Sequence, residues 1–216
     1  MNLNELKKKY DTLQNKFGDK NLNAIYFGGC ENNPDFCFVF VNPTGRSIAA
    51  DKNWQGIKAP WLGIKNVWNL FYNLGFLSEN IYKKIKETKS SSWTVNLANQ
   101  IYEELNKNKV FITNLAKCTQ IDARPLKDEI YQKYLPLFLE EIKIVNPKII
   151  ILFGNQVSRV VLNQKIAVSK CRKQFFIKEY KNKTYKFYPV YYPVGNGGFN
   201  YKKVIEDLNW IIKEEK

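Results

Sequence analysis

Asn42 and Asn114 each follow directly on an apolar run, FCFVFV (Phe36–Val41) and VFIT (Val110–Thr113). A third run, IIILF, ends at Gly154-Asn155, and a fourth tract ends in Tyr191-Tyr192-Pro193 ahead of VGNGGFN. An asparagine amide offers one acceptor oxygen and two donor hydrogens, the pattern that complements a nucleobase edge. With glycines and aromatic residues beside them, two such amides suit a planar, uncharged, amide-bearing ligand. Trp54 and Trp61, in the loop after the first run, add flat faces for stacking. The chain has no histidine, which excludes Ser-His and Cys-His mechanisms and removes the commonest metal ligand. Its four cysteines, Cys30, Cys37, Cys118 and Cys171, form no C-x-x-C pair and read as small buried apolar residues.

The elements that must hold these residues are legible from periodicity. Leu3, Leu6, Tyr10, Leu13 and Phe17 recur at three- and four-residue steps up to Gly18, giving an amphipathic N-terminal helix over 1–18. FGGCENNPD reads as irregular, and FCFVFV as a central strand covered on both faces. A loop of about twenty residues leads into GIKNVWNLFYNLG, a helix that Pro60-Trp61 opens and Gly75 stops. Helices are expected over Ser78–Glu87, Trp93–Lys107, Lys127–Val145 and NQVSRVVLNQ, with strands at Val110–Thr113 and KIIILFG. FFIKEYKNKTYKFYPVYYP reads as a β-hairpin turning near Asn182-Lys183, and Tyr201–Lys213 as a closing helix within 200–214. The expectation is one α/β domain over 1–216. Its central four-stranded, mostly parallel sheet carries helices on both faces, with an added C-terminal hairpin and the motif-bearing core at 37–199. Ligands in such sheets bind beyond the carboxyl ends of the strands, where the asparagines stand.

Composition narrows the class. With 44% hydrophobic and 15% aromatic residues the chain is globular rather than disordered. Its apolar runs are far too short to span a membrane, and its lysine-rich start has no apolar run of signal-peptide type, so a cytoplasmic protein is expected. A net charge of +14 suggests a polyanionic partner, although only four of the cations are arginine and the Lys, Asn and Ile bias alone could raise it. Between Lys165 and Lys186 eight basic residues accompany one acid, marking that segment as the expected polyanion-facing edge.

The order of the motifs resembles the uracil-DNA glycosylase superfamily, nearest in order to its iron–sulfur, thermostable branch. VFVNPTGRS matches the family's first motif, a strand running into Asp-Pro or Asn-Pro and a glycine-containing loop. APWLGIKNVWNLF (Ala59–Phe71) matches the Pro-Phe-Val-Gly element, and VFITNLAKCTQIDARP (Val110–Pro125) the strand–Asn segment. PKIIILFGNQVSRVVL corresponds to the strand–Gly–helix, and YYPVGNGGFN to the DNA-intercalating loop. The resemblance runs from about Asn33 to Trp210.

That resemblance implies roles. Asn42 takes the place of the residue that positions the attacking water, and Tyr192 that of the loop histidine that donates to the leaving base. Trp61 stands where an aromatic stacks on the flipped base, with Val41 and Pro43 beside it, and Asn114 where an asparagine reads the uracil edge. Pro193, Val194, Gly195, Asn196, Gly197 and Gly198, with Phe199, form the wedge that enters DNA, and Arg46 and Arg124 are candidates for phosphate contacts. The chain departs from the iron–sulfur branch. Cys118 falls at one cluster position, Tyr134 occupies its partner's, and Cys30 and Cys37 are seven apart, so no cluster, metal or other cofactor is expected. The implied protein is a monomeric glycosylase acting on single- or double-stranded DNA. The missing histidine leaves open a member that binds DNA without turnover, and the residues alone also admit a domain binding a free nucleotide.

Overall fold

The computed structural model describes residues 1–124 and 126–215, apart from the side chain of Asn196. Pro125, the last residue of the strand–Asn segment, lies outside the described residues. The order of elements is α1 (Leu3–Phe17), β1 (Phe27–Gly29), β2 (Phe36–Phe40), α2 (Trp68–Asn73), α3 (Glu79–Glu87), α4 (Val95–Lys107), β3 (Val110–Asn114) and α5 (Asp128–Val145). It continues with β4 (Ile149–Phe153), α6 (Gly154–Leu162), β5 (Phe176–Tyr180), β6 (Lys183–Val190) and α7 (Tyr201–Glu215).

The sheet has six strands in the order β1-β3-β2-β4-β6-β5. The four central strands are parallel, and β1 and β5 add antiparallel edges. This corrects the four-stranded expectation in two ways. Phe27–Gly29, expected to be irregular, is an edge strand whose Gly29 sits at φ 96° with its backbone against Val110. The C-terminal hairpin is not an appendage, because its second strand β6 pairs with β4 inside the sheet. Its turn places Lys181 and Asn182 both at positive φ (48° and 63°), the pairing a two-residue I′ turn demands.

The strands are apolar throughout because both faces are covered. Alternate residues of β2, Phe36, Phe38 and Phe40, pack with α2, α3, α4 and α7, while Cys37 and Val39 pack with α1, α5 and α6. The helix expected to open at Pro60-Trp61 starts only at Trp68. Before it the chain is folded by turns, with Trp61 itself at φ 68°. No helix among the described residues is long and apolar enough to cross a membrane.

Candidate active site

The carboxyl ends of β3, β2, β4 and β6 lie side by side in register, so their following loops meet at one end of the sheet. There they enclose a cavity of about 570 Å³, within the size range of small-ligand sites. Val41, Asn42, Pro43 and Arg46 form one wall and Pro60, Trp61, Ile64 and Asn66 another. Asn114 comes from the end of β3, Tyr131 and Gln156 from the first turns of α5 and α6, and Tyr192, Val194, Gly195 and Gly197 close the far side. Arg46 is the one charged residue among the described lining residues.

Asn42 stands two residues beyond the end of β2, with its amide held at both ends. Its Nδ2 donates to the Pro43 carbonyl at 3.2 Å, and its Oδ1 accepts from the Tyr131 hydroxyl at 2.7 Å. One lone pair of Oδ1 therefore remains for a further donor. Burial pushes the Tyr131 phenol well above the ordinary tyrosine pKa, so this donor stays protonated. Tyr131 was invisible in the sequence, where it reads as one more apolar position on the buried stripe of α5.

Asn114 is only 2% exposed, and its Nδ2 has no hydrogen-bond partner among the described residues. A buried amide hydrogen left without an acceptor costs about 1–3 kcal/mol, which points to a ligand acceptor in the cavity. Its main chain is fixed from beneath. Lys117 Nζ donates to the Asn114 carbonyl, to Thr113 Oγ1 at 2.7 Å and to Glu141 at 3.0 Å. Glu141 also accepts from Tyr10 at 2.8 Å and from Thr113 at 2.6 Å. Both members of the ion pair are fully buried. Burial pulls the Lys117 ammonium below the usual lysine range while the Glu141 carboxylate opposes that pull. The fold thus places a buried ion pair under the strand end that presents Asn114.

Trp61 lines the cavity in a left-handed backbone conformation, which costs a bulky residue about 1–2 kcal/mol. Three donors hold it there. The Tyr102 hydroxyl bonds the Pro60 carbonyl, while Trp68 Nε1 at 3.2 Å and the Ile64 amide at 3.1 Å both bond the Trp61 carbonyl. Its ring meets Phe40 edge-on at 4.9 Å. Tyr192 also meets Phe40 edge-on, at 6.1 Å, and burial pushes its phenol well above the ordinary tyrosine pKa. The loop after Tyr192 folds back so closely that a Cβ on Gly197 would lie 2.1 Å from the Tyr192 carbonyl oxygen, so only glycine fits.

Some residues named from sequence fall elsewhere. Arg124 is exposed and bonded to its neighbour Asp122 rather than facing the cavity. Trp54 donates its Nε1 to the Ile57 carbonyl, and Asn155 accepts from the Val168 amide, so neither joins the site. Pro193 and Gly198 line a neighbouring cavity, and Phe199 is 97% exposed beside them. The side chain of Asn196 lies outside the described residues. The basic segment 165–186 forms the far sheet edge and lines neither cavity, with Arg172, Lys178, Lys181 and Lys186 bonded within the protein. Gln156, anchored to the Leu126 carbonyl and Asp128, is a lining residue that sequence reading missed.

The four cysteines are free and buried. Cys30 bonds the Asn32 carbonyl, Cys37 lies within β2, Cys118 sits beside the Tyr134 hydroxyl, and Cys171 follows a 3-10 turn. Among the described residues no three Cys, Asp or Glu side chains gather as metal ligands, so this donor set does not fit a four-cysteine cluster.

A type-4 uracil-DNA glycosylase of Sulfurisphaera tokodaii is 26% identical over 115 residues, covering 51% of this chain and 52% of that protein. The chain thus matches about half the length of that curated relative. The model of the Uracil DNA glycosylase superfamily matches residues 27–204, from β1 into α7, and so takes in every loop that lines the cavity. The chain belongs to the uracil DNA glycosylase superfamily.

Proposed function

We propose that the chain is a monofunctional DNA glycosylase, acting as a monomer, that hydrolyses the N-glycosidic bond of uracil or another deaminated base extruded from DNA. The observation that carries this is the buried, unpartnered Asn114 amide facing a cavity walled by an indole and a second amide. Uracil presents a carbonyl acceptor and an N–H donor side by side, which one amide satisfies at once. Unstacking the target nucleotide costs a few kcal/mol, and stacking on Trp61 returns about 1–3 kcal/mol of it.

In this reading the C1′–N bond breaks first and the base departs as an anion, leaving an oxocarbenium-like sugar. Asn114 Nδ2, the Tyr192 hydroxyl and the Arg46 charge are donors and a cation suited to that anion. A water held by the free lone pair of Asn42 Oδ1 adds its oxygen to C1′, and its proton ends on the released base. Tyr131 keeps the Asn42 carbonyl aimed and is a positioning residue. Tyr131→Phe is expected to lower kcat by about tenfold with little change in KM, and to add nothing when Asn42 is already alanine. Additive losses in single-turnover assays would count against the pair.

No carboxylate or imidazole lines the cavity among the described residues, and both its phenols have pKa values raised above the ordinary tyrosine range. The single-turnover rate is therefore expected to stay flat from about pH 5 to about pH 9. A bell-shaped profile with limbs inside that window would require a titrating acid or base that this site lacks.

The direct test is base release from oligonucleotides carrying uracil, hypoxanthine or xanthine, single-stranded or opposite guanine, read as alkali-labile strand breaks. Release that Asn42→Ala abolishes supports the activity, and no release at enzyme excess contradicts it. A second reading, a member that binds DNA without turnover, is favoured by the lack of any histidine in the chain and of any carboxylate among the described lining residues. Salt-dependent binding without release would establish it.

A further inference from the structure

The Gln156 side chain lines the cavity with both of its N–H bonds already engaged. Its Nε2 donates to the Leu126 carbonyl at 2.9 Å and to Asp128 Oδ1 at 2.9 Å. Neither partner can donate in return. Arg159 donates to the two Asp128 oxygens at 2.8 and 2.9 Å and so holds that carboxyl below the usual carboxylate range. Turning the Gln156 amide over would set its oxygen against two acceptors. Gln156 therefore offers the cavity an acceptor and never a donor. Its Oε1 receives no hydrogen bond among the described residues.

That acceptor belongs to the neighbourhood of Asn42. β2 and β4 are parallel neighbours with Val39 opposite Leu152, so the chains carrying Asn42 and Gln156 leave the sheet side by side. Asn114 leaves it on the other flank of β2, opposite Phe40. Asn42 thus stands between the amide assigned to the base edge and Gln156. One short stretch anchors both of the outer contacts. Tyr131 donates to Asn42 Oδ1 at 2.7 Å, and the Leu126 backbone, whose carbonyl takes a Gln156 hydrogen, lies against the Tyr131 hydroxyl. Asp128 and Tyr131 are three residues apart at the start of α5 and share one face of it. Neighbouring strands are about 4.8 Å apart. Two oxygens that each accept one hydrogen of the same water are about 4–5 Å apart.

We propose that Gln156 Oε1 is the second acceptor for the attacking water, which gives one hydrogen to Asn42 Oδ1, the other to Gln156, and turns a lone pair to C1′. The proposal rests on reading this cavity as the place of base release, and it adds Gln156 to the catalytic residues. The C1′–N bond breaks with its electron pair leaving on the base. The water lone pair then forms the O–C1′ bond, and the proton that oxygen sheds ends on the base anion. Neither amide is a base. Together they fix the direction of a water they cannot deprotonate, which is a contribution of orientation.

Methanol separates this role from a structural one, because it has a single O–H to give. Captured at C1′, it loses that proton to the base and leaves a methyl glycoside, which alkali does not cleave as it cleaves an abasic site. Single-turnover reactions on a uracil oligonucleotide in water containing methanol therefore carry two readouts. Free uracil counts both captures, and alkali-labile breaks count hydrolysis alone. Wild type is expected to favour water over methanol about tenfold per molecule, since methanol leaves one acceptor unmet. Gln156→Met keeps the length and removes the acceptor. It is expected to lower kcat about tenfold, leave KM within about twofold, and bring the preference for water close to one. Gln156→Leu is expected to behave alike, which sets the missing acceptor apart from a defect peculiar to one side chain. Variants that slow both captures equally, with the preference unchanged, would make Gln156 a structural residue and overturn the proposal. A wild-type chain without preference for water overturns it as well. If wild type frees no uracil at all, the reading of the cavity falls and takes this role with it; if it frees uracil at a preference the variants leave untouched, only the role of Gln156 falls.

Discussion

Asn114→Ala is expected to lower kcat/KM for base release by about a hundredfold to a thousandfold, the scale of losing one donor aimed at developing negative charge. The substitution removes an amide that is buried to 2% exposure and whose Nδ2 has no hydrogen-bond partner among the described residues. Both ground-state recognition and stabilisation of the departing anion depend on it, so KM and kcat are expected to worsen together. Asn114→Asp separates the two effects, since it keeps the shape but sets a carboxylate against an anion, and is expected to be at least as damaging. Single-turnover kinetics on a uracil oligonucleotide check both variants. Activity within about threefold of wild type in Asn114→Ala would mean that the amide does not face the reacting base.

Lys117→Met is expected to cost about 3–5 kcal/mol of folding stability, because it leaves the Glu141 carboxylate buried without its counter-charge. For a chain of this size that corresponds to a fall in Tm of about 10 °C. The Tyr10 and Thr113 hydroxyls still donate to Glu141, yet neutral donors replace only part of a lost ammonium. Removing both charges in Lys117→Met/Glu141→Leu is expected to recover most of the loss. Urea or thermal melts decide it. A Lys117→Met chain within about 1 kcal/mol of wild type would show that the pair contributes little. The same lysine fixes the Asn114 carbonyl, so base release by the folded fraction of Lys117→Met is expected to fall as well.

What the sequence makes legible here follows from local chemistry. Asn42 and Asn114 stand out because a polar amide interrupts an apolar strand, and parallel strands bring their carboxyl ends together whatever lies between them. Tyr131 and Gln156 gave no such signal, since each sits on a helix whose first turn reaches the cavity only through tertiary packing. The Lys117–Glu141 pair joins residues 24 apart from different elements, and a lysine next to a cysteine reads as an ordinary surface charge. β1 was missed because three residues ending in two glycines carry no strand pattern, and its pairing with β3 is imposed by the sheet edge. The apolar spacing continues through Trp61 and so suggests a helix there, while three hydrogen bonds to the Pro60 and Trp61 carbonyls hold a turn instead. Of the eight basic residues at 165–186, Arg172, Lys181 and Lys186 pair with Glu206 and Asp207, Glu140 and Glu215, which commits part of that charge to the fold in a way that single-residue composition does not show.

One structure would probe the shared slot most directly: the chain bound to an oligonucleotide whose uracil carries a 2′-fluoro sugar that resists hydrolysis. The uracil is expected outside the helix, its face on Trp61, its edge on Asn114, and a water on Asn42 below C1′. A uracil still stacked in the DNA, or DNA bound at a surface away from Asn42, Trp61 and Asn114, would contradict the assignment of this cavity as the place where the base is read and released.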